Sequence, residues 1–148
     1  IVDRHDENAI PLYLETLRTR YDFLEDSRAR AVDIMARALA DLHADQAVKP
    51  LIAHLQDHET DVPTLNAIIK ALIEIGDDGA LIPFRDFLLM YRADPMFKES
   101  SATLNLVADG LLEMGGEEQR QLLSFVRNDS QTIKPLRKYL AEALEQSR

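Results

Sequence analysis

The chain has no cysteine and no tryptophan, and only 5 of its 148 residues are glycine. Without cysteine it can form no disulfide, no thiolate metal site and no cysteine nucleophile. A cysteine-free chain suits both the cytoplasm and the periplasm; we take the cytoplasm as the prediction and keep the periplasm open. Apolar stretches such as residues 67–75 are interrupted by charges and are far shorter than the roughly 20 residues that span a bilayer. We therefore expect no direct insertion into a membrane.

Basic residues are outnumbered by acidic ones, 17 to 26, which gives the chain a net charge of −9. A surface of that sign repels a phosphate backbone unless its cations are concentrated on one face. Here the cations are interspersed with acidic residues, as in Arg28, Arg30 and Asp33, which is the pattern of a solvated helical face. We therefore expect no nucleic acid among the partners of this protein.

Alanine, leucine, glutamate and arginine are abundant, and this composition favours helix over sheet. No window shows the sustained alternation of a half-buried strand. The length and the hydrophobic content of 46% are enough for one compact core. These features predict an all-α fold with a single domain over residues 1–148.

An internal repeat is the most informative feature of the sequence. Its signature is a small residue and a leucine, then two spacer residues and an aliphatic residue, and its copies are spaced by 33, 39 and 33 residues. Such spacings are typical of two-helix repeats. The copies are Ala38-Leu39 with Leu42, Ala71-Leu72 with Ile75, Gly110-Leu111 with Met114, and a partial copy at Ala143-Leu144.

A second apolar pattern follows each signature, with residues at i, i+3, i+4 and i+7 or most of those positions, as expected for one face of a helix. Pro50 and Pro83 match at the offset of 33 and lie early in this second helix, where a missing amide costs least. Every repeat is therefore predicted to be a helical hairpin. The predicted helices are residues 7–19, 28–42 with 46–56, 61–75 with 79–91, 95–114 with 117–126, and 131–145.

The middle copy reads ALIEIGD at residues 71–77 and ALIPF at residues 80–84. These stretches resemble the A-L-x-x-[LI]-G-[DN] end and the A-[VI]-x-P-L start of HEAT repeats, especially the short bacterial HEAT-like repeats also seen in phycobilisome-lyase-type proteins. The resemblance covers nearly the whole chain, although the first copy has His43 in place of glycine and the third lacks the proline. It implies a right-handed α-solenoid of helical hairpins, whose second helices line a concave surface for protein recognition.

The repeat register also bears on the two ends of the chain. Residue 1 aligns with the last turn of a first-position helix, and the last helix is a first-position helix without a second helix after it. A repeat whose face lacks a neighbour leaves apolar surface exposed unless a polar cap covers it. We therefore expect this chain to be a fragment of a longer array.

Four histidines are the strongest candidates for chemistry, because histidine is the commonest metal ligand and general base. His5 and His43 align at predicted helix ends, where capping explains them. His58-Glu59 is similar to the His-Glu pairs of HEAT-like deoxyhypusine hydroxylases, but that family distributes several pairs over matching helices and this chain has one. No G-x-S-x-G, P-loop or G-x-G-x-x-G motif is present. We predict no catalytic residue, no metal and no cofactor, and therefore no enzyme.

The predicted function is a non-enzymatic scaffold that binds a protein or peptide through the concave face of the solenoid. Two alternatives remain: a HEAT-like enzyme or accessory factor of the lyase type, and a structural module that spaces or dimerises other domains. A bound metal or pigment would favour the first alternative, and self-association without another partner would favour the second. The oligomeric state does not follow from the sequence.

The repeat register selects the candidate binding residues. It aligns His54, Phe87 and Phe125 in one column of the second helices, and aromatic residues beside arginines are the usual composition of interface hot spots. The alternative is that Phe87 and Phe125 pack between repeats. Met96 and Phe97 lie in the longer connection and serve either recognition or a hydrophobic staple on the next helix. The candidate protein-binding residues are Lys49, His54, Arg85, Phe87, Tyr91, Arg92, Met96, Phe97, Arg120 and Phe125.

Overall fold

The computed structural model describes residues 7–18 and 32–147, and in these two stretches every regular element is helical. This confirms the all-α prediction. His5 and the beginning of the helix predicted from residue 28 lie outside the described residues. The α-helices are α1 (Ile10–Arg18), α2 (Val32–Asp41), α3 (Val48–Leu55), α4 (Val62–Ile75), α5 (Leu81–Tyr91), α6 (Ala102–Met114), α7 (Glu117–Asn128) and α8 (Lys134–Gln146).

The helix α4 shows how local sequence sets the ends of these elements. The Asp61 side chain accepts a hydrogen bond of 2.9 Å from the backbone N–H of Thr64, and Pro63 occupies the first turn, where no amide partner is lost. Gly76 ends the helix with a left-handed φ of 74°. Between these ends, one face of α4 is buried and carries Leu65, Ile68, Ile69 and Leu72.

The contacts between helices group the chain into two compact units, residues 1–77 and 78–148. In the described part of the first unit, α2 packs along α4 and α1 packs along α3, so the helices form two layers. The core lies between the layers, and α1 and α3 are joined by His54, whose buried Nε2 hydrogen-bonds to the carbonyl of Leu17. The largest fully buried side chains of this unit are Leu17, Leu39, Leu51, Ile68, Ile69 and Leu72.

The second unit contains α5 to α8. Its most extensive contacts join each second helix to the first helix that follows it, α5 with α6 and α7 with α8, and α6 also contacts both α7 and α8. Tyr139 of α8 donates a hydrogen bond of 2.5 Å to Asp109 of α6. The largest fully buried side chains of this unit are Phe84, Leu88, Leu104, Leu111, Leu123 and Leu136.

Burial recurs with the repeat. In the first helices, Met35, Ile68 and Val107 are buried at offsets of 33 and 39 residues. The same two offsets relate the buried residues of the second helices. They relate Leu51, Phe84 and Leu123, and likewise His54, Phe87 and Val126. The aligned column therefore ends at Val126 and not at Phe125, because the offset from the second to the third copy is 39 residues in the second helix as well as in the first.

Two turns differ in an informative way from the predictions. The helix predicted at residues 95–114 is interrupted: Pro95–Phe97 form a 3₁₀ turn, capped by a 2.8 Å bond from the Met96 N–H to the Asp94 carboxylate, and α6 begins only at Ala102. His43, which takes the place of the usual glycine, has a φ of 48° and so adopts the left-handed conformation of Gly76. The backbone N–H groups of His43 and Ala44 donate to the carbonyls of Ala40 and Leu39, which closes α2 with a Schellman motif.

Candidate protein-binding site

The candidate site lies on the solvent-facing side of α5 in the second unit. Ile82, Arg85, Asp86 and Leu89 follow the spacing i, i+3, i+4 and i+7, which places them on one face of the helix. Ile82 is 61% exposed, Arg85 and Asp86 are exposed, and Leu89 is half-buried. The opposite face carries the buried Phe84 and Leu88, so α5 is amphipathic with an apolar residue also on its outer side.

The charges on this face neutralise each other. The Arg85 guanidinium donates two hydrogen bonds to one carboxylate oxygen of Asp86, at 3.0 Å from Nε and 2.9 Å from Nη2. Their side chains are 45% and 53% exposed, so the pair adds little to stability in water. It leaves the centre of the face without a net charge.

A brace joins the end of α5 to the end of α7. The Nε of Arg92, directly after α5, lies 3.0 Å from the Oδ2 of Asp129, directly after α7, and the Ile133 N–H donates to the Arg92 carbonyl at 2.8 Å. The Gln131 N–H bond to the other oxygen of Asp129, together with the Arg92 guanidinium, lowers the pKa of this carboxyl below its usual 3.8. The brace therefore fixes where α5 and α7 meet.

Phe125, on α7, is an exposed aromatic residue near the end of that helix. It lies one turn before Asp129 and therefore on the flank of α7 that turns toward α5. Leu89 lies one turn before Arg92, so Phe125 and Leu89 each stand about one turn from the brace, on α7 and α5 respectively. Phe125 is 56% exposed, although Leu123 and Val126 beside it are fully buried. We call the surface formed by Ile82, Arg85, Asp86, Leu89 and Phe125 the α5–α7 face.

Three predicted binding residues lie inside the second unit as an aromatic cluster. The ring of Tyr91 lies 4.7 Å from that of Phe87 and 5.9 Å from that of Phe97, the latter in an edge-to-face arrangement. Phe87 and Phe97 are buried and Tyr91 is half-buried. The cluster holds the 3₁₀ turn against α5, so these rings are placed as core residues. Met96, next to Phe97, points outward and is 58% exposed.

The remaining predicted residues are not gathered at one place. Lys49 is exposed on α3 and His54 is buried under the same helix, both in the first unit. Arg120 lies in a groove between α7 and α8, where its guanidinium donates to the hydroxyl of Ser147 at 2.9 Å and to the carbonyl of the same residue. This groove has a volume of about 470 Å³ and mixes opposite charges with apolar residues; its lining consists of Glu117, Arg120, Ser124, Arg127, Ala141, Leu144 and Glu145.

Metal-ligating groups and shifted pKa values among the described residues bear on metal binding and catalysis. In residues 7–18 and 32–147, no three histidine or acidic side chains are placed to hold a metal ion. A raised pKa occurs at Tyr139, about 12, because the phenol is partly buried and donates to Asp109. Burial is the larger cause of this raised pKa, and the hydrogen bond to Asp109, which joins two helices, adds to it. Among the same residues, no helix is long and apolar enough to cross a bilayer.

Sequence reasoning chose Arg85 and Phe125 as binding residues. The repeat register also predicts that Ile82 and Asp86 point toward the concave side, but neither is among the candidate binding residues. Leu89 was missed, although its i, i+7 spacing from Ile82 on the side opposite Phe84 marks an outer apolar stripe. Asp129 was missed because its partner Arg92 is 37 residues away. Comparison with protein-family models, with curated proteins and with solved structures found no match to this chain.

Proposed function

We propose that this chain is a HEAT-like helical-repeat protein that acts as a non-enzymatic scaffold and binds another protein or a peptide through the α5–α7 face. In this proposal the hairpins stack as a right-handed α-solenoid, and the second helices line its concave side. The recurrence of buried positions at offsets of 33 and 39 residues supports the repeat assignment, since equivalent residues of stacked repeats meet equivalent neighbours.

The observation that carries the binding proposal is the exposure of Phe125. A phenylalanine that is 56% exposed leaves on the order of 100 Å² of apolar surface in water, which costs about 2–3 kcal/mol at 25 cal/mol per Å². Burial against a partner would recover that free energy. Arg85, which belongs to the same proposed face, supplies a flexible polar rim, and aromatic residues and arginine are both typical of interface hot spots.

The proposal is tested by affinity capture from a lysate of the source organism, with the purified chain as bait. The wild type is compared with Phe125→Ser and with Ile34→Ser, a matched change at another exposed apolar residue, on α2 of the first unit. We expect one protein to be retained by the wild type and by Ile34→Ser but lost with Phe125→Ser, and its purified form to bind in calorimetry. Circular dichroism verifies that both variants keep the helical content of the wild type.

Other outcomes would contradict the proposal. Equal retention by all three baits would place binding away from the α5–α7 face. No retained protein, combined with self-association of the purified chain, would favour a structural spacer or dimerisation module. A pigment that copurifies with the chain would favour the lyase-type alternative.

A further inference from the structure

We draw no further inference here: the strongest candidate, the basic cluster of Lys134, Arg137 and Lys138 at the start of α8, two residues after the buried Thr132, rests on a helix N-terminus, and nothing in the structure aims the Thr132 hydroxyl at the three cations.

Discussion

Replacing Gly76 with alanine tests the repeat register through backbone strain alone. Gly76 has a φ of 74°, and a Cβ at this position would meet only the carbonyl oxygen of Ile73, at an ordinary contact distance of 3.8 Å. The left-handed conformation costs an L-residue about 1–2 kcal/mol, and the stiffer unfolded chain of the alanine variant returns about 0.4–1 kcal/mol. The net loss should therefore be about 1 kcal/mol in the free energy of unfolding.

The equivalent residue His43 should respond in the opposite direction. Its φ of 48° carries the same kind of strain, and histidine tolerates it better than most residues, so His43→Gly should gain about 0.5 kcal/mol. Gly116→Ala is the control, because its φ is −126° and a Cβ there meets nothing within 4 Å. Urea unfolding followed by circular dichroism measures all three. A Gly76→Ala variant as stable as the wild type, with a less stable His43→Gly, would refute the equivalence of the two turns.

Three further predictions concern packing and ionisation. Phe84→Ala should cost about 3–5 kcal/mol because Phe84 is fully buried, whereas Ile82→Ala on the same helix should stay within ~0.5 kcal/mol of the wild type; urea unfolding that finds equal losses would contradict the orientation of α5. The pKa of Asp129 is lowered in the folded chain, so its contribution to stability is present above about pH 4 and is lost as the pH falls further. Asp129→Asn should therefore make Tm fall less steeply below pH 4 in calorimetry. The same fall in Tm for the variant and the wild type would contradict a stabilising Arg92–Asp129 pair. The pKa of Tyr139 is raised from 10.0 to about 12, so the stability it adds is full below pH 10 and declines as the pH rises through 12. Absorbance titration should find one tyrosine ionising near pH 12, and Asp109→Asn should lower that value only in part, because burial of the phenol, the largest cause of the raised pKa, remains.

Helical periodicity predicted most element bounds within a few residues, because buried positions recur on one face of each helix. It failed at residues 98–101, where the chain leaves the helical path before Ala102. Asp94 and Pro95 cap a helical turn at the predicted start, but that turn is 3₁₀ and ends at Phe97. The capping signal marks where a helix starts and carries no information about how far it runs.

The binding residues were harder to predict, for reasons visible in α7. Leu122 and Leu123 are adjacent, so the apolar pattern can be aligned with α5 in two registers that differ by one residue. In the structure Leu123 is the buried residue at the aligned position, and Phe125 lies on the exposed side of α7. In α5, an aromatic residue near arginines is equally typical of an interface and of a core. The interior position of Phe87 depends on the rings of Tyr91 and Phe97, which come together only in three dimensions.

The brace at Arg92 makes the connection between α7 and α8 a poor site for inserting a new sequence. Both the backbone and a side chain of that connection are bonded to the end of α5, so a tag or a foreign domain placed there would have to break them. The exposed residues 98–100, which precede α6, suit an affinity tag far better. A tag inserted after Glu99 should leave the brace intact, and the chain should still fold.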